Sequence, residues 1–276
     1  MIEIIETMMS YPFMVRAVTV GILVSLCAAL LGISMVLKRY SMIGDGLSHV
    51  GFAALAAATA ANVAPLKVAI PVCIVAAFLM LRLSESSKLK GDSAVAIVCS
   101  GALAIGVMII SLSSGMNTDV NSYMFGSILS ISKDDAVVTR ILAIIVIIVF
   151  LIFYNRIFAV TFDENFARAT GTKAGIYNGV LAVLTAVTVV IGMRMMGALL
   201  ISSLIIFPSL SAMRVCKKYK SVMICSVIIS IISFIIGISV SFMYSTPAGA
   251  SIVCVNLAIF IFFAAVGFIK HKIKKA

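Results

Sequence analysis

The sequence predicts an all-α, polytopic membrane protein with about eight or nine transmembrane helices. Of its 276 residues, 63% are hydrophobic and only 11% are charged, and the mean hydropathy is +1.23, whereas roughly half of a soluble domain is apolar. Charge-free runs such as 224–242 reach the length of about 20 residues that a helix needs to cross the hydrocarbon core. Because regular alternation of polar and apolar residues is absent, helices are favoured over a β-barrel.

Nine apolar segments follow one another and predict a single transmembrane domain over residues 1–276. The first segment is too long for a signal-peptide core and lacks a small-residue cleavage site, so we expect it to remain as a helix. One segment could be re-entrant, which would leave eight spans, and the seventh, interrupted by Pro208, is the least regular. The segments are 12–37, 43–61, 65–81, 94–113, 136–154, 174–192, 197–213, 221–243 and 248–269.

The basic residues indicate how the segments are oriented. Alternate connections and the C-terminal end hold 16 of the 21 lysines and arginines, and cytoplasmic loops are the ones enriched in these residues. We therefore expect the N-terminus outside and the C-terminus in the cytoplasm. Because the basic residues form short clusters between apolar runs, the net charge of +11 does not indicate a nucleic-acid partner.

Sequence signatures of catalysis are absent. The chain has no GxxxxGK[ST] phosphate loop, no GxSxG nucleophile elbow and no HExxH pair, so we do not expect an enzyme or an ATPase. The cysteines occur singly, without CxxC spacing, and we interpret them as small core residues. They are Cys27, Cys73, Cys99, Cys216, Cys225 and Cys254.

The stretch 41–51, SMIGDGLSHVG, places two ionisable residues in an otherwise apolar segment. Asp45 and His49 are four residues apart, so they share a helix face on which a carboxylate and an imidazole can converge. At about 1.5 Å per residue, His49 lies roughly 15 Å from Arg39, near the middle of a core about 30 Å thick. Ionisable residues at that depth indicate a functional site, here for a divalent metal. The alternative is that Asp45 caps or compensates a helix start and His49 is a satisfied core histidine.

One carboxylate and one imidazole are too few ligands to hold zinc or manganese tightly. A transport site needs only transient binding, and two copies of the chain around a two-fold axis would supply two ligands of each kind. Gly44, Gly46 and Gly51 would let neighbouring helices approach this stretch closely. The sequence therefore predicts that each chain carries half of a metal site.

The cytoplasmic connection 162–171, FDENFARATG, predicts a short helix with an apolar face. One acidic residue can cap its start, a second favours its first turn, two phenylalanines share a face and a glycine can end it. Such a helix suits docking into a groove of another protein; lying on the lipid surface is the alternative. The residues expected in this partner-binding segment are Phe162, Asp163, Glu164, Phe166, Ala167, Arg168 and Gly171.

An outer connection, 117–132, combines polar residues with the apolar patch 123–125 and a break at Gly126. It predicts a re-entrant piece or a short helix at the outer mouth, with an ordinary amphipathic loop helix as the alternative.

Several of these stretches, taken in order, resemble the permease subunits of ABC importers for zinc, manganese or iron. The resemblance covers nearly the whole chain, through SYPFMVRA, SMIGDGLSHVGFA, GDSAVAIVCSGALAIGV, DVNSYMFGSILSIS, FDENFARATG, RMMGALLISSLIIFP and TPAGASIV. It implies a homodimer of helical permeases in a bacterial inner membrane. It also implies a cytoplasmic ATP-binding subunit that engages each permease through a coupling helix at 162–171, and an extracytoplasmic binding protein that delivers the metal.

The resemblance maps the intramembrane metal contacts onto Asp45 and His49. The chain would then bind no cofactor of its own, since the partner subunit uses the ATP and the metal is the cargo. Carboxylate and imidazole suit zinc, manganese and ferrous iron alike, so the metal stays open. The alternative function is a stand-alone secondary carrier or channel, in which the same two residues exchange protons or gate ions without ATP.

Overall fold

A computed structural model describes residues 8–85, 91–113, 126 and 133–273 of the chain. Within these ranges the chain is built from α-helices, which confirms the predicted all-α class. The predicted outer piece at 117–132 lies outside the described residues except for Gly126. The helices are α1 Pro12–Leu37, α2 Ser41–Ala60, α3 Pro65–Glu85, α4 Gly91–Leu112, α5 Lys133–Phe162, α6 Glu164–Ala169, α7 Ala174–Met196, α8 Ala198–Val215, α9 Tyr219–Tyr244 and α10 Ala248–Ile273.

Eight of the nine long helices in the described ranges are long and apolar enough to span a membrane, which confirms a polytopic membrane protein. The exception is α2, whose 20 residues include Asp45, His49 and several glycines and serines that lower its hydropathy. This helix packs against α3, α4, α7 and α8. The most polar of the long helices is therefore surrounded by other helices, which shield much of it from lipid.

The relative direction of one pair of helices agrees with the predicted alternation. Helices α8 and α10, which both follow an outer connection in that scheme, run alongside each other in the same direction. Phe207 packs against Phe260 with ring centroids 5.9 Å apart, and seven residues further along each helix a Cβ at Gly267 would lie 3.3 Å from the carbonyl oxygen of Arg214. Parallel packing of these two helices agrees with strict alternation across the membrane.

The helix break lies at a glycine rather than at the proline expected from the sequence. Gly197 alone separates α7 from α8, with φ 90° and ψ 156°, a region that is essentially restricted to glycine. The predicted interruption at Pro208 is wrong, because α8 continues through it to Val215. Pro208 removes only the hydrogen bond to the carbonyl of Leu204, and the packed helices around α8 tolerate that loss.

Helix α1 lies at the centre of the bundle, with 72% of its most apolar stretch buried. Two hydroxyl contacts tie it to α9. Ser230 donates to the carbonyl of Ser25 at 3.1 Å, and the hydroxyls of Ser34 and Tyr219 lie 2.8 Å apart. Between apolar helices such hydrogen bonds hold the pair in register where the hydrophobic effect supplies little force.

The outer helices present apolar side chains to their surroundings. Only 11% of the most apolar stretch is buried in α4 and in α10, and Met108 and Phe262 are 61% and 64% exposed. The cysteines are all free. The interpretation as core residues is right for Cys27 and Cys73, which are buried, and wrong for Cys254, which is exposed on α10.

Candidate functional site

Asp45 and His49 lie one turn apart on a single face of α2. His49 Nε2 is 3.8 Å from Asp45 Oδ2, and the hydroxyl of Ser202 on α8 donates to Asp45 Oδ1 at 3.1 Å. The Asp45 side chain is 39% exposed and the His49 side chain is 21% exposed, so the pair borders a space that a cation or another chain can enter. Asp45 does not cap the helix, since Tyr40 occupies the N-cap position.

Glycines in α2 mark where its neighbours approach the pair. A Cβ at Gly46 would lie 3.0 Å from the Met80 side chain on α3, and a Cβ at Gly51 would lie 2.7 Å from the Met193 side chain on α7. Methionine is flexible, but its end would have to shift at both positions. The close approach that the sequence predicts around this stretch is therefore present.

A single chain supplies two candidate metal ligands here. In the part of the chain that the structure describes, no group of three or more His, Cys, Asp or Glu side chains converges in a way that could hold a metal ion. A cavity of about 700 Å³ lies elsewhere, between α9 and α10, and it is lined by apolar side chains such as Ile228 and Phe262. Cys225 is the one His, Cys, Asp or Glu among the residues that line this cavity, so the pair of Asp45 and His49 is the better candidate.

The predicted cytoplasmic segment contains the six-residue helix α6. Asp163 Oδ1 accepts a hydrogen bond from the Phe166 N–H at 2.9 Å and caps its start. After its end, Gly171 adopts φ 82°, and its N–H donates to the carbonyl of Arg168 at 3.0 Å. Ala167 is buried and packs towards α5 and α7. The helix is thus capped at both ends and held against the bundle by a small apolar contact.

The outward side of this segment is apolar and basic. Phe162, Phe166 and Arg168 are 61%, 66% and 60% exposed, and we call these three residues the docking face. Phe162 also packs against two other aromatic rings: its ring centroid lies 5.0 Å from that of Phe158 and 6.1 Å from that of Tyr219. The two phenylalanines that the sequence assigns to one face are both available to a partner.

A partly buried group of polar side chains, which we call the Lys38 cluster, attaches α6 to the rest of the bundle. It consists of Lys38, Glu164 and Asn178. The Lys38 ammonium donates to Glu164 Oε2 at 3.0 Å and to Asn178 Oδ1 at 2.6 Å, and the Asn178 amide donates to the same Glu164 oxygen at 3.2 Å. Arg168 adds an ion pair to Glu164 Oε1 at 2.6 Å. The cluster joins α6 to α7 and to the connection between α1 and α2.

These contacts keep Glu164 ionised. Burial raises the pKa of this carboxyl group, but hydrogen bonds from Arg168, Lys38 and Asn178 outweigh the burial and lower the pKa from 4.5 to about 2. At neutral pH the cluster therefore contains a full carboxylate.

Sequence reasoning did not identify three of these polar partners. Lys38 is only one of the basic residues that indicate orientation, and Ser202 is only one residue of the irregular seventh segment. Asn178 was overlooked, although a lone amide within the apolar segment 174–192 is a recognisable signal, since buried polar side chains need partners.

Comparison with known proteins shows the family of this chain. Residues 10–267 match the ABC 3 transport family. The high-affinity zinc uptake system membrane protein ZnuB of Haemophilus influenzae is 29% identical over 245 residues, which are 89% of this chain and 94% of that protein. The manganese import system permease protein ScaB of Streptococcus gordonii is 27% identical over 276 residues and covers 99% of both chains.

A solved structure gives the same assignment. PsaBC from Streptococcus pneumoniae, in complex with Fab, contains a chain that matches with a TM-score of 0.85 at 26% identity over 95% of both chains. The predicted ABC permease fold and the predicted resemblance are thereby confirmed. Together with the eight apolar helices, the relatives identify a multi-pass protein of the bacterial inner membrane. The chain belongs to the ABC 3 transport family, whose members are the membrane subunits of transporters.

Proposed function

We propose that the chain is the permease subunit of an ATP-driven importer for a divalent transition metal, and that access to the metal alternates around Asp45 and His49. The observation that carries the proposal is the pair itself: a carboxylate and an imidazole 3.8 Å apart on a helix that packs against four other long helices. Zinc and manganese are supported by the names of the relatives, and iron by the ligand chemistry alone.

A second copy of the chain would complete the site. One chain offers two ligands, whereas zinc prefers four and manganese more, and both side chains stay partly exposed. Two copies around a two-fold axis that α2 lines would bring together two carboxylates and two imidazoles. The bound state would be transient, as a transport site requires.

We also propose partners for other surfaces of the chain. We place a cytoplasmic ATP-binding subunit on the docking face of α6, where two exposed aromatic rings and a guanidinium group suit a groove in another protein. An extracytoplasmic binding protein would deliver the metal on the opposite side. Membrane lipid would cover the exposed apolar faces of α4 and α10.

Metal accumulation in cells that carry the complete system tests the site. Asp45→Asn and His49→Ala are each expected to reduce uptake at least about tenfold, because losing even a residue that supports a ligand costs roughly 10–100-fold in metal sites. Ser239→Ala is the matched control, since this membrane hydroxyl donates to the carbonyl of Ile235 in its own helix. Unchanged uptake of zinc, manganese and iron in both variants would end the site proposal.

The same cells separate an importer from a secondary carrier. Inactivating the phosphate loop of the ATP-binding subunit should abolish uptake if ATP hydrolysis drives it. Uptake that persists would favour the stand-alone carrier, in which Asp45 and His49 exchange protons.

A further inference from the structure

We infer that Lys38 is a positioning residue that links the movement of α6 to α2, the helix that holds Asp45 and His49. The inference rests on the proposed function and deepens it, because it names the residue through which an ATP-driven displacement of the docking face would reach the metal site.

The Lys38 cluster is a closed set of contacts between three parts of the fold. Its hydrogen bonds connect Lys38 to Glu164, Lys38 to Asn178 and Asn178 to Glu164, at 3.0, 2.6 and 3.2 Å. The Lys38 side chain is only 7% exposed, and Asn178 is 4% exposed. A buried ammonium group that loses its carboxylate is strongly unfavourable, so α6 and Lys38 are expected to move together.

The connection from Lys38 to α2 is short and hydrogen-bonded. Lys38 follows the last residue of α1, and only Arg39 and Tyr40 separate it from the first residue of α2. The N–H groups of Lys38 and Tyr40 donate to carbonyls of the last turns of α1 at 3.1 and 2.8 Å. Asp45 lies four residues into α2, about 6 Å along its axis. A displacement of the ammonium group therefore acts close to the start of the helix that carries the metal ligands.

The ion pair between Arg168 and Glu164 does not link α6 to α2. Arg168 and Glu164 are four residues apart and within the same short segment, and the Arg168 side chain is 60% exposed. Such a pair stabilises α6 locally but reaches no other helix. Among the contacts described for Glu164, those with Lys38 and Asn178 leave α6, and only Lys38 continues directly into α2.

The test uses the permease and its ATP-binding subunit reconstituted in lipid vesicles, with the extracytoplasmic binding protein supplied on the uptake side and zinc and manganese ions as the transported probes. Both ATP hydrolysis and metal uptake are measured, and the ratio of metal moved to ATP hydrolysed is compared between variants. Lys38→Met should bind the ATP-binding subunit and hydrolyse ATP like the wild type, because it replaces none of the three residues of the docking face. The ratio should fall about tenfold, within the roughly 5–150-fold range of coupling between sites.

Two further variants separate positioning from charge removal. Lys38→Arg keeps a cation and its donors, and it should recover most of the ratio. Arg39→Met is the matched control, because it removes one cytoplasmic charge from the next residue, which is exposed and outside the cluster. Its ratio should equal that of the wild type.

Each result decides the inference. An unchanged ratio in Lys38→Met overturns it, and so does a loss of binding to the ATP-binding subunit, since the cluster would then only hold α6 in place. If Lys38→Met fails to fold, Glu164→Gln and Asn178→Leu weaken the same cluster from its other two members and should lower the ratio in the same way. Absence of ATP-dependent uptake in the wild type would instead refute the proposed function.

Discussion

At the scale of single residues, Ser202 fixes the orientation of Asp45 from a different helix. Its hydroxyl donates to Oδ1 at 3.1 Å, which leaves Oδ2 directed towards His49. We expect Ser202→Ala to raise the metal concentration for half-maximal uptake about tenfold, since loss of a hydrogen bond to a metal ligand typically costs roughly 10–100-fold. Initial uptake rates over a range of zinc and manganese concentrations give this value.

The adjacent serine provides the control for that prediction. Ser203 is also in α8, but its hydroxyl donates to the carbonyl of Leu200 in the same helix at 2.9 Å. Ser203→Ala should leave the half-maximal concentration unchanged. Equal values for Ser202→Ala and the wild type would mean that Asp45 does not depend on this contact.

At the scale of elements, the attachment of α6 depends on the ionisation of Glu164. Burial raises the pKa of Glu164, but hydrogen bonds from Arg168, Lys38 and Asn178 lower it overall, from 4.5 to about 2. A group whose pKa is lower in the folded state contributes its full stabilisation above 4.5, and the contribution is lost as the pH falls through about 2. We therefore expect α6 to stay protected from neutral pH down to 4.5 and to loosen below it.

Amide hydrogen exchange of residues 164–169 in the purified permease measures this, with the protection expressed relative to the intrinsic exchange rate at each pH. Glu164→Gln should be less protected at neutral pH and should change less between pH 4.5 and 2. This comparison also accounts for Asp163, whose capping contact is retained in the variant. Identical profiles for the two proteins would show that the Lys38 cluster does not hold the helix.

At the scale of the whole molecule, the apolar runs predict the helices well because length and hydropathy dictate what can span a membrane. Each of the nine segments corresponds to one long helix. The ends are less predictable: segment 136–154 corresponds to Lys133–Phe162, since Arg156 lies inside the helix. A charged residue marks where the lipid core ends, whereas a helix ends where its backbone hydrogen bonds do.

Contacts between helices could not be predicted in the same way. Ser202 and Asp45 are 157 positions apart, and Lys38 and Glu164 are 126 positions apart. Hydropathy gives no information about which face of a helix meets which neighbour when the surrounding lipid is as apolar as the protein core. The pairing of Asp45 with His49 was accessible because helical periodicity alone brings positions i and i+4 together.

The proposed two-fold assembly makes a prediction that distinguishes a specific interface from simple exposure. Met42 is 48% exposed and lies on α2 three residues before Asp45, so the two share a face. With the six native cysteines replaced, Met42→Cys, Asp45→Cys and His49→Cys should each crosslink two copies of the chain in the membrane, either directly or through a short thiol reagent.

Ile152 on α5 is more exposed than Met42, at 69%, but α5 packs against α1 and α7 and lies outside the group of helices around α2. Ile152→Cys should therefore give little crosslinked product under the same conditions. If crosslinking followed exposure alone, Ile152→Cys would react more than Met42→Cys. If none of the α2 variants crosslinked under any condition, the second half of the proposed metal site would have to come from elsewhere, because no group of three or more candidate ligands converges among the described residues of one chain.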